Sequence, residues 1–234
     1  MGNDGHDKKR DMTYTQNREL SWLRFDERVL AESMDESVPL FERLKFIAIF
    51  ESNMREFLMV RMGGLSSLAT LKRQPRDNKS GMTPSEQVAA VFSELPGLFS
   101  KASASLDAIE SLLRAKGIER ITPPELIGTE RDTVRSYFNR NVQPIFSPLI
   151  IDPRHPFPNL RNGALYVVCT LASASEDEQG LLGIIEVPTS LPRVIEVSNE
   201  NGLLRYILLE DIILACLDSC FGAYAPQDSA RTRA

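Results

Sequence analysis

Three groups of residues carry side chains that could act on a phosphate group or hold a metal ion. His155 is the only histidine beyond the first sixteen residues, and an imidazole can serve as a nucleophile in covalent catalysis. Cys216 and Cys220 lie four positions apart, which places both thiols on one face of a helix. Four cations of one polar segment could contact phosphate, which binds Lys and Arg well; they are Lys72, Arg73, Arg76 and Lys79.

Each group also has a structural interpretation, and in each case we favour it. His155 lies between Pro153 and Pro156 without a base or an arginine cluster nearby in sequence, so we predict a role in a loop. No further Cys or His lies close to Cys216 and Cys220 in sequence, and core packing explains them better than a metal site. The four cations fit a solvated helix end and loop. We therefore predict no catalytic residue and no metal ligand.

Acidic residues and an asparagine in the first part of the chain also have structural interpretations. Glu19, Glu42 and Glu56 are near arginines at positions 18, 43 and 61, and ion pairs on helix surfaces explain them better than acid–base catalysis. Asn53 with Glu56 three positions later fits a capping box, in which each side chain satisfies a backbone N–H group. We therefore predict that a helix begins near Asn53.

Composition excludes several classes of protein. The 234 residues allow one or two domains, and 42% hydrophobic and 25% charged residues are ordinary globular values. The net charge is −5, with no basic stripe or zinc-finger spacing, so we expect no nucleic acid partner. There is no run of ~20 apolar residues and no secretory signal. The three cysteines suggest reduced thiols, which predicts a cytoplasmic protein.

The periodicity of apolar residues predicts a helical bundle over residues 17–118, after a disordered leader at 1–16. The first helix, at about 21–33, is expected to bury Trp22 and Phe25 in the core. Pro39 fits the first position of the second helix, and Gly63-Gly64 at the third predicts a close approach by a neighbouring helix. A fourth helix begins at Thr83-Pro84 and ends at Gly117, and Pro96 is expected to kink or split it.

The remainder, residues 119–224, predicts a small and incomplete α+β domain, so the fold class is α+β. Segments rich in β-branched residues predict three strands, at 164–172, 181–187 and 193–197. Helices are expected at about 129–141 and 209–220. The polar end of the chain, 225–234, has no apolar pattern, and we predict that it is disordered.

An ordered series of short motifs identifies a family. The first part of the series contains Glu-Leu-Ser-Trp at 19–22, Phe25, Arg28-Val29-Leu30, Pro39-Leu40, Glu42-Arg43, Ser52-Asn53, Glu56-Phe57 and Met59-Val60-Arg61. The second part contains Phe138-Asn139-Arg140, PIFSPL at 144–149, Asp152-Pro153, HPFP at 155–158, Val187-Pro188, Leu191-Pro192-Arg193 and LEDII at 209–213. Over about residues 15–222, the chain resembles the ATP-dependent bacterial polyphosphate kinases.

The resemblance implies an activity for the full-length enzyme. Members of this family transfer the terminal phosphate of ATP reversibly to polyphosphate through a phosphohistidine. The helical domain contributes to the roof over the nucleotide, and the following head domain is associated with dimerisation. The phosphohistidine, the Mg²⁺ ligands and the phosphate-binding Arg and His residues belong to two C-terminal domains beyond the matched region. We therefore expect this chain alone to be inactive and to bind no cofactor, although the full-length enzyme uses ATP and Mg²⁺.

The resemblance also assigns one binding residue. A family asparagine that contacts ATP corresponds to Asn53, within Ser52-Asn53-Met54-Arg55-Glu56-Phe57. Arg55 stands where the family usually has Asp, so a charge is reversed two positions from Asn53. If a helix began at Asn53, Arg55 would also oppose the helix dipole, at a cost of ~0.3–1 kcal/mol.

Two interpretations of the whole chain remain open. The favoured one is the N-terminal part of a polyphosphate kinase, comprising the helical domain and part of the head domain, with weak ATP binding and polyphosphate as the partner of the full-length enzyme. The alternative is a non-catalytic interaction or nucleotide-binding module that associates with itself or with a full-length polyphosphate kinase.

Overall fold

The protein is described by a computed structural model, which covers residues 17–152, 154, 156–172, 181–222 and 224–233. The predicted leader and His155 lie outside the described residues. The chain forms two compact units that divide between Leu112 and Leu113, a few positions before the predicted boundary at 118. Within the described ranges, no helix has the length and apolar character needed to cross a membrane.

The first unit is helical. Its helices are α1 (Arg18–Ala31), α2 (Leu40–Glu56), α3 (Gly63–Ala69) and α4 (Pro84–Ala115, which extends past Leu112). Asn17 caps α1, because its Oδ1 accepts hydrogen bonds from the backbone N–H groups of Glu19 at 2.9 Å and Leu20 at 3.2 Å. Asn17 Nδ2 also donates to Gln87 Oε1 at 2.9 Å, so the cap connects the start of α1 to α4.

The buried face of α1 differs from the predicted one. The buried side chains are Glu19, Leu23, Asp26 and Leu30, so two of the four are acidic. Phe25 is 49% exposed, and its predicted core position is wrong. A prediction from hydrophobic periodicity places carboxylates on the solvent side, and for this reason it identified the wrong face of α1 as buried.

The predicted helix start at Asn53 is also wrong. Asn53 lies inside α2, and the chain continues through a π-helical turn at Phe57–Met62 directly into α3. Arg55 therefore lies in the last turn of α2 and not in a first turn. A Cβ atom added at Gly63 or Gly64 would meet nothing within 4 Å, so the predicted close approach of a neighbouring helix does not occur among the described residues.

The start of α4 follows the prediction, whereas its middle does not. Thr83 and Glu86 form a reciprocal cap: Thr83 N donates to Glu86 Oε2 at 2.7 Å, and Glu86 N donates to Thr83 Oγ1 at 3.3 Å. The helix then runs without a break to Ala115 with Pro96 inside it. Of the two predicted effects of Pro96, splitting of the helix is therefore wrong, and a kink stays a prediction.

The second unit contains two sheets. Its strands are β1 (Ile118–Arg120), β2 (Leu149–Ile151), β3 (Leu165–Ala172), β4 (Leu181–Glu186), β5 (Val194–Glu200), β6 (Leu203–Leu208) and β7 (Ala225–Arg233). One sheet has the order β1-β6-β5 and the other β2-β4-β3-β7. β1 and β6 are parallel, and every other pair is antiparallel. β3, β4 and β5 confirm the three predicted strands.

The hairpin between β5 and β6 depends on an Asn-Gly turn. Asn201 and Gly202 both have positive φ, at 54° and 80°, as a type I′ turn requires. Gly117, with φ of 80°, lies against this turn, and a Cβ atom there would come within 2.5 Å of Gly202 O. Leu204 N donates to Gly117 O at 2.8 Å. Glycine at 117 therefore permits the pairing of β1 with β6.

Two helices pack with these sheets around one core. They are α5 (Gly128–Tyr137), followed by a π-helical turn at Phe138–Val142, and α6 (Leu209–Ala215). The predicted helix at 209–220 is shorter, because a separate 3-10 turn follows at Leu217–Ser219. The shared core takes buried side chains from both helices and both sheets, including Val134, Ile212, Val167, Ile185 and Ile207.

The end of the chain is the largest departure from prediction. Residues 225–233 form β7, which pairs with β3 from Leu165 to Ala172, so the predicted disorder of 225–234 is wrong for these residues. The polar side chains of β7 from Gln227 to Thr232 are exposed, as expected for an edge strand whose stabilisation comes from backbone hydrogen bonds. The prediction of an incomplete domain relied on three strands in all. With β7, the sheet that contains β3 has four strands by itself.

Candidate functional site

A pocket of about 270 Å³ lies on the helical unit and includes Asn53. Its lining residues come from α1, from the end of α2 and from the π-helical turn; they are Trp22, Phe25, Asn53, Glu56, Phe57, Val60 and Arg61. The volume is slightly below the ~300–1,000 Å³ typical of sites for whole drug-sized ligands. The pocket therefore fits part of a ligand, such as one planar ring system.

The π-helical turn supplies three of the lining side chains: Phe57, Val60 and Arg61. A π-helical turn has i→i+5 hydrogen bonds and rotates the side chains after it relative to an α-helix. Such turns occur often at functional sites. This turn could not be predicted from the sequence, since its residues are compatible with an ordinary α-helix.

Asn53, which lines the pocket, forms a hydrogen bond with Asp26, which does not. Asn53 Nδ2 donates to Asp26 Oδ1 at 2.9 Å. Asp26 is fully buried, and its Oδ2 has no hydrogen-bond partner in the described part of the chain. Burial raises the pKa of Asp26 above its ordinary value, because the charged carboxylate loses its hydration, while the hydrogen bond from Asn53 opposes this rise.

Arg61 is held at the rim by a second buried carboxylate. Its Nη2 lies 2.5 Å from Oε1 of Glu19, and its Nε lies 3.4 Å from Oε2. The side chain of Glu19 is only 6% exposed, whereas that of Arg61 is 48% exposed. Glu19 raises the pKa of Arg61 by hydrogen bonding and by charge attraction. Arg61 is one of the three arginines with which Glu19, Glu42 and Glu56 were expected to pair. The pair joins two helical segments through a buried carboxylate, so it is not the helix-surface ion pair that we predicted.

The aromatic wall of the pocket is ordered by stacking. The rings of Trp22 and Phe57 are nearly parallel, at 4° between planes, with centroids 4.1 Å apart. Phe57 is buried and Trp22 is half-buried, so the indole covers the phenyl ring. Phe25, which lies beside them in the pocket, is half exposed. The pocket thus combines a flat aromatic surface with one amide and few charges.

Comparison with known proteins identifies the chain. Residues 15–121 match the family model of the polyphosphate kinase N-terminal domain, and residues 129–234 match that of the polyphosphate kinase middle domain. The chain belongs to the polyphosphate kinase family.

Individual relatives agree with this assignment. The chain is 37% identical to a polyphosphate kinase of Bacillus cereus over 227 residues, which cover 95% of this chain and 32% of that protein. It is 36% identical to a polyphosphate kinase of Mycobacterium avium over 214 residues, covering 88% and 29%. The crystal structure of polyphosphate kinase from Porphyromonas gingivalis superposes with a TM-score of 0.81 at 27% identity, over 93% of this chain and 32% of that one.

The match covers nearly all of this chain but only part of each relative. The chain spans about a third of the length of the relatives it matches. The match to the middle-domain model continues to residue 234, so the similarity extends beyond residue 222, where the sequence analysis placed its end. The strand β7 therefore lies within the matched middle domain.

Among the described residues, the other chemically capable side chains are not part of the pocket lining. Among the four cations of the polar segment, Arg76 donates to Gly81 O at 2.7 Å and lies 3.9 Å from Glu86, so it binds within its own loop. Cys169, Cys216 and Cys220 are all buried and free, and burial raises the pKa of Cys220 to about 12. In the described ranges no group of three or more His, Cys, Asp or Glu residues could hold a metal ion. Core packing of Cys216 and Cys220 is confirmed.

A larger cavity of about 440 Å³ on the second unit has two arginines in its lining, Arg161 and Arg193. Both are engaged by carboxylates: Arg161 pairs with Glu186, and Arg193 Nη2 lies 2.6 Å from the buried Glu210. The positive charge at this cavity is therefore neutralised, which makes it a poorer anion site than its residue types suggest.

Sequence reasoning found Asn53 and missed what supports it. The sequence analysis assigned no role to Asp26, although this acid lies one position after Phe25, on the face of the first helix that was predicted to be buried. Asn17 was likewise not recognised as a cap. Trp22, Phe25 and Arg61 entered only as motif or core residues, and the structure brings them together with Asn53 in one pocket.

Proposed function

We propose that this chain forms one wall of the nucleotide site of an ATP:polyphosphate phosphotransferase, and that the pocket around Asn53 receives the adenine base. The observation that carries the proposal is the position of Asn53 in the pocket beside the stacked rings of Trp22 and Phe57. A planar base gains from contact with aromatic surfaces, and an amide supplies directional hydrogen bonding. Membership of the polyphosphate kinase family supports ATP as the ligand.

The charges of the pocket favour a base over a triphosphate. Its charged lining residues are Glu56, which repels phosphate, and Arg61, which is already paired with Glu19. Arg55 is exposed on the same helix and would add only attraction that salt screens. Transfer of a phosphoryl group also needs a metal or arginine clamp on the developing charge. In the proposed function, other parts of the enzyme provide that clamp and the phosphohistidine.

An ATP titration of this chain followed by NMR tests the proposal. With one wall present, we expect a dissociation constant of about 1 mM or weaker, equivalent to ~4 kcal/mol. Asn53→Ala should weaken binding by about five- to tenfold, the value of one ordinary hydrogen bond. Asn78→Ala, which changes an exposed asparagine outside the pocket, is the matched control and should bind ATP unchanged.

The titration also distinguishes the alternative function. Micromolar affinity that depends on Asn53 would favour a self-sufficient nucleotide-binding module. Shifts that do not involve Trp22, Asn53 or Phe57 would place the ligand elsewhere and refute the assignment of this pocket.

A further inference from the structure

The most unusual group beside the pocket is the carboxylate of Asp26. It is fully buried, accepts one hydrogen bond from Asn53 Nδ2 at 2.9 Å, and leaves Oδ2 without a partner in the described part of the chain. Burying an incompletely paired carboxylate is costly, and no cation forms a salt bridge with it among the described residues. A residue that lowers stability at a binding pocket invites a functional explanation.

The hydrogen-bonding chemistry of the two side chains provides one. An asparagine amide presents an acceptor at one end and a donor at the other, and rotation by half a turn exchanges them. An ionised carboxylate can only accept hydrogen bonds. Asp26 therefore requires the Nδ2 end of Asn53 to face it, which leaves Oδ1 as the end available to the pocket.

We propose that Asp26 is a positioning residue, which fixes the amide of Asn53 with its carbonyl oxygen toward the pocket and so selects a ligand edge that carries a hydrogen-bond donor. This inference rests on the proposed function, in which the ligand is a purine nucleotide. The exocyclic amino group of adenine is such a donor at the 6-position, whereas hypoxanthine has a carbonyl oxygen at the 6-position and carries its donor on the neighbouring N1. The selection therefore concerns where on the edge the donor lies.

The remaining polar lining has the same preference. Glu56 is a second group that only accepts hydrogen bonds when ionised. Arg61, the cationic donor of the lining, is directed to Glu19. A donor at the ligand edge would find Asn53 Oδ1 and Glu56 as partners, whereas an acceptor would have only the indole N–H of Trp22 and the guanidinium that Glu19 already engages.

The test compares ATP with inosine 5′-triphosphate (ITP), in which the donor at the 6-position is replaced by an acceptor and N1 becomes a donor. Dissociation constants are measured by NMR titration for the unsubstituted chain, Asp26→Asn, Asn53→Ala and the control Asp35→Asn, which removes a charge from an exposed turn. We expect the unsubstituted chain and the control to prefer ATP by about tenfold, as one hydrogen bond allows. In Asp26→Asn the preference should fall below about threefold, because an amide can accept or donate and lets Asn53 rotate.

The outcomes separate this inference from the proposed function. If Asn53→Ala leaves the binding of both nucleotides unchanged, the proposed function fails, and the inference fails with it. If Asn53→Ala weakens ATP binding while Asp26→Asn keeps the original ratio of ATP to ITP affinity, the inference alone is overturned.

A second measurement needs no substitution at Asp26. In the unsubstituted chain, the Nδ2 protons of Asn53 should exchange with water more slowly than those of the exposed Asn78, because Asp26 holds them in a hydrogen bond. Equal exchange at the two side chains would show that the amide is not fixed, and this result would overturn the inference even if Asp26→Asn does not fold.

Discussion

Glu19 and Arg61 lie 42 positions apart in the chain and form an ion pair, with 2.5 Å between Oε1 and Nη2. Glu19 belongs to α1, and Arg61 belongs to the π-helical turn that follows α2. The pair therefore connects α1 to the π-helical turn, two of the three segments that line the pocket around Asn53. Glu19 is buried and Arg61 is half exposed. Loss of the ion pair would therefore cost more at the carboxylate, which water hardly reaches, than at the guanidinium, which water can hydrate.

Removal of Arg61 should for this reason destabilise the helical unit. We expect Arg61→Ala to lower the free energy of unfolding by ~1–3 kcal/mol, the cost of leaving a buried charged acceptor unpaired. Arg24→Ala is the matched control, since Arg24 pairs with Glu27 and Glu94 at more exposed positions and should cost ~0.5 kcal/mol or less. Urea denaturation measures both. Equal losses would contradict a special role for the buried carboxylate.

A second buried acid should be important in the second unit. Asp211 on α6 is fully buried; its Oδ2 lies 3.2 Å from Arg120 Nη2, and its Oδ1 lies 3.0 Å from Arg231 Nη1, without hydrogen-bond geometry. It thus connects α6 to β1 and to β7. Asp211→Ala should lower the free energy of unfolding by ~3 kcal/mol or more, because two cations lose their partner. Asp218→Ala, at an exposed position nearby, should change it by no more than ~0.5 kcal/mol.

The sequence allowed the fold class and the strands at β3, β4 and β5 to be predicted, because their apolar residues form clear runs. It did not reveal β7, since a polar edge strand buries few side chains and is held by backbone hydrogen bonds to β3. The Asn201-Gly202 turn was a readable hairpin signal, and it was overlooked. Hydrophobic patterns therefore led to β3, β4 and β5 and missed β7, which is stabilised by pairing. They also missed β6, although its Ile207 is fully buried.

Only part of the site could be predicted for a related reason. Asn53 came from the family resemblance, while its capping role was wrong because α2 continues through the π-helical turn. Asp26 and Glu19 occupy buried positions of α1, where a periodicity argument expects apolar residues. Their burial depends on partners at positions 53 and 61, which only the folded arrangement brings near.

Asp26 should give stability an unusual dependence on pH. Burial raises its pKa in the folded chain above the ordinary value of 3.8, so the folded state holds the proton more tightly than the unfolded state. Its contribution to stability is therefore present below pH 3.8 and is lost as pH rises through the folded pKa. The unfolding free energy of the unsubstituted chain minus that of Asp26→Asn should fall over this range, as urea denaturation at several pH values would show.

Asp35 provides a control of opposite sign. Hydrogen bonds from the side chain and backbone of Ser37 lower the pKa of Asp35 below 3.8, so its contribution is present above that pH and is lost as pH falls. The corresponding difference for Asp35→Asn should rise with pH. A difference for Asp26→Asn that also rises with pH would show that Asp26 is not penalised by burial.

We expect the chain alone to synthesise no polyphosphate from ATP and Mg²⁺. Phosphoryl transfer requires stabilisation of the developing charge, and Arg61, the cation that lines the pocket around Asn53, is already paired with Glu19. Incubation with labelled ATP, followed by separation of polyphosphate, tests this expectation. Time-dependent product that disappears in His155→Ala would contradict it and would give His155 the nucleophilic role that we did not assign.

Trp22, the single tryptophan of the chain, should report occupation of the pocket directly. Its indole is half-buried, stacks on Phe57 and lines the pocket, so a base entering there would displace water from the ring and change its fluorescence. The change should reach half its maximum at about 1 mM ATP, the affinity expected for one wall of the site. Asn53→Ala should move this midpoint to higher ATP concentration, and Arg24→Ala should leave it in place. Emission that stays constant while ATP shifts the NMR signals of Asn53 would mean that the base does not contact the aromatic wall.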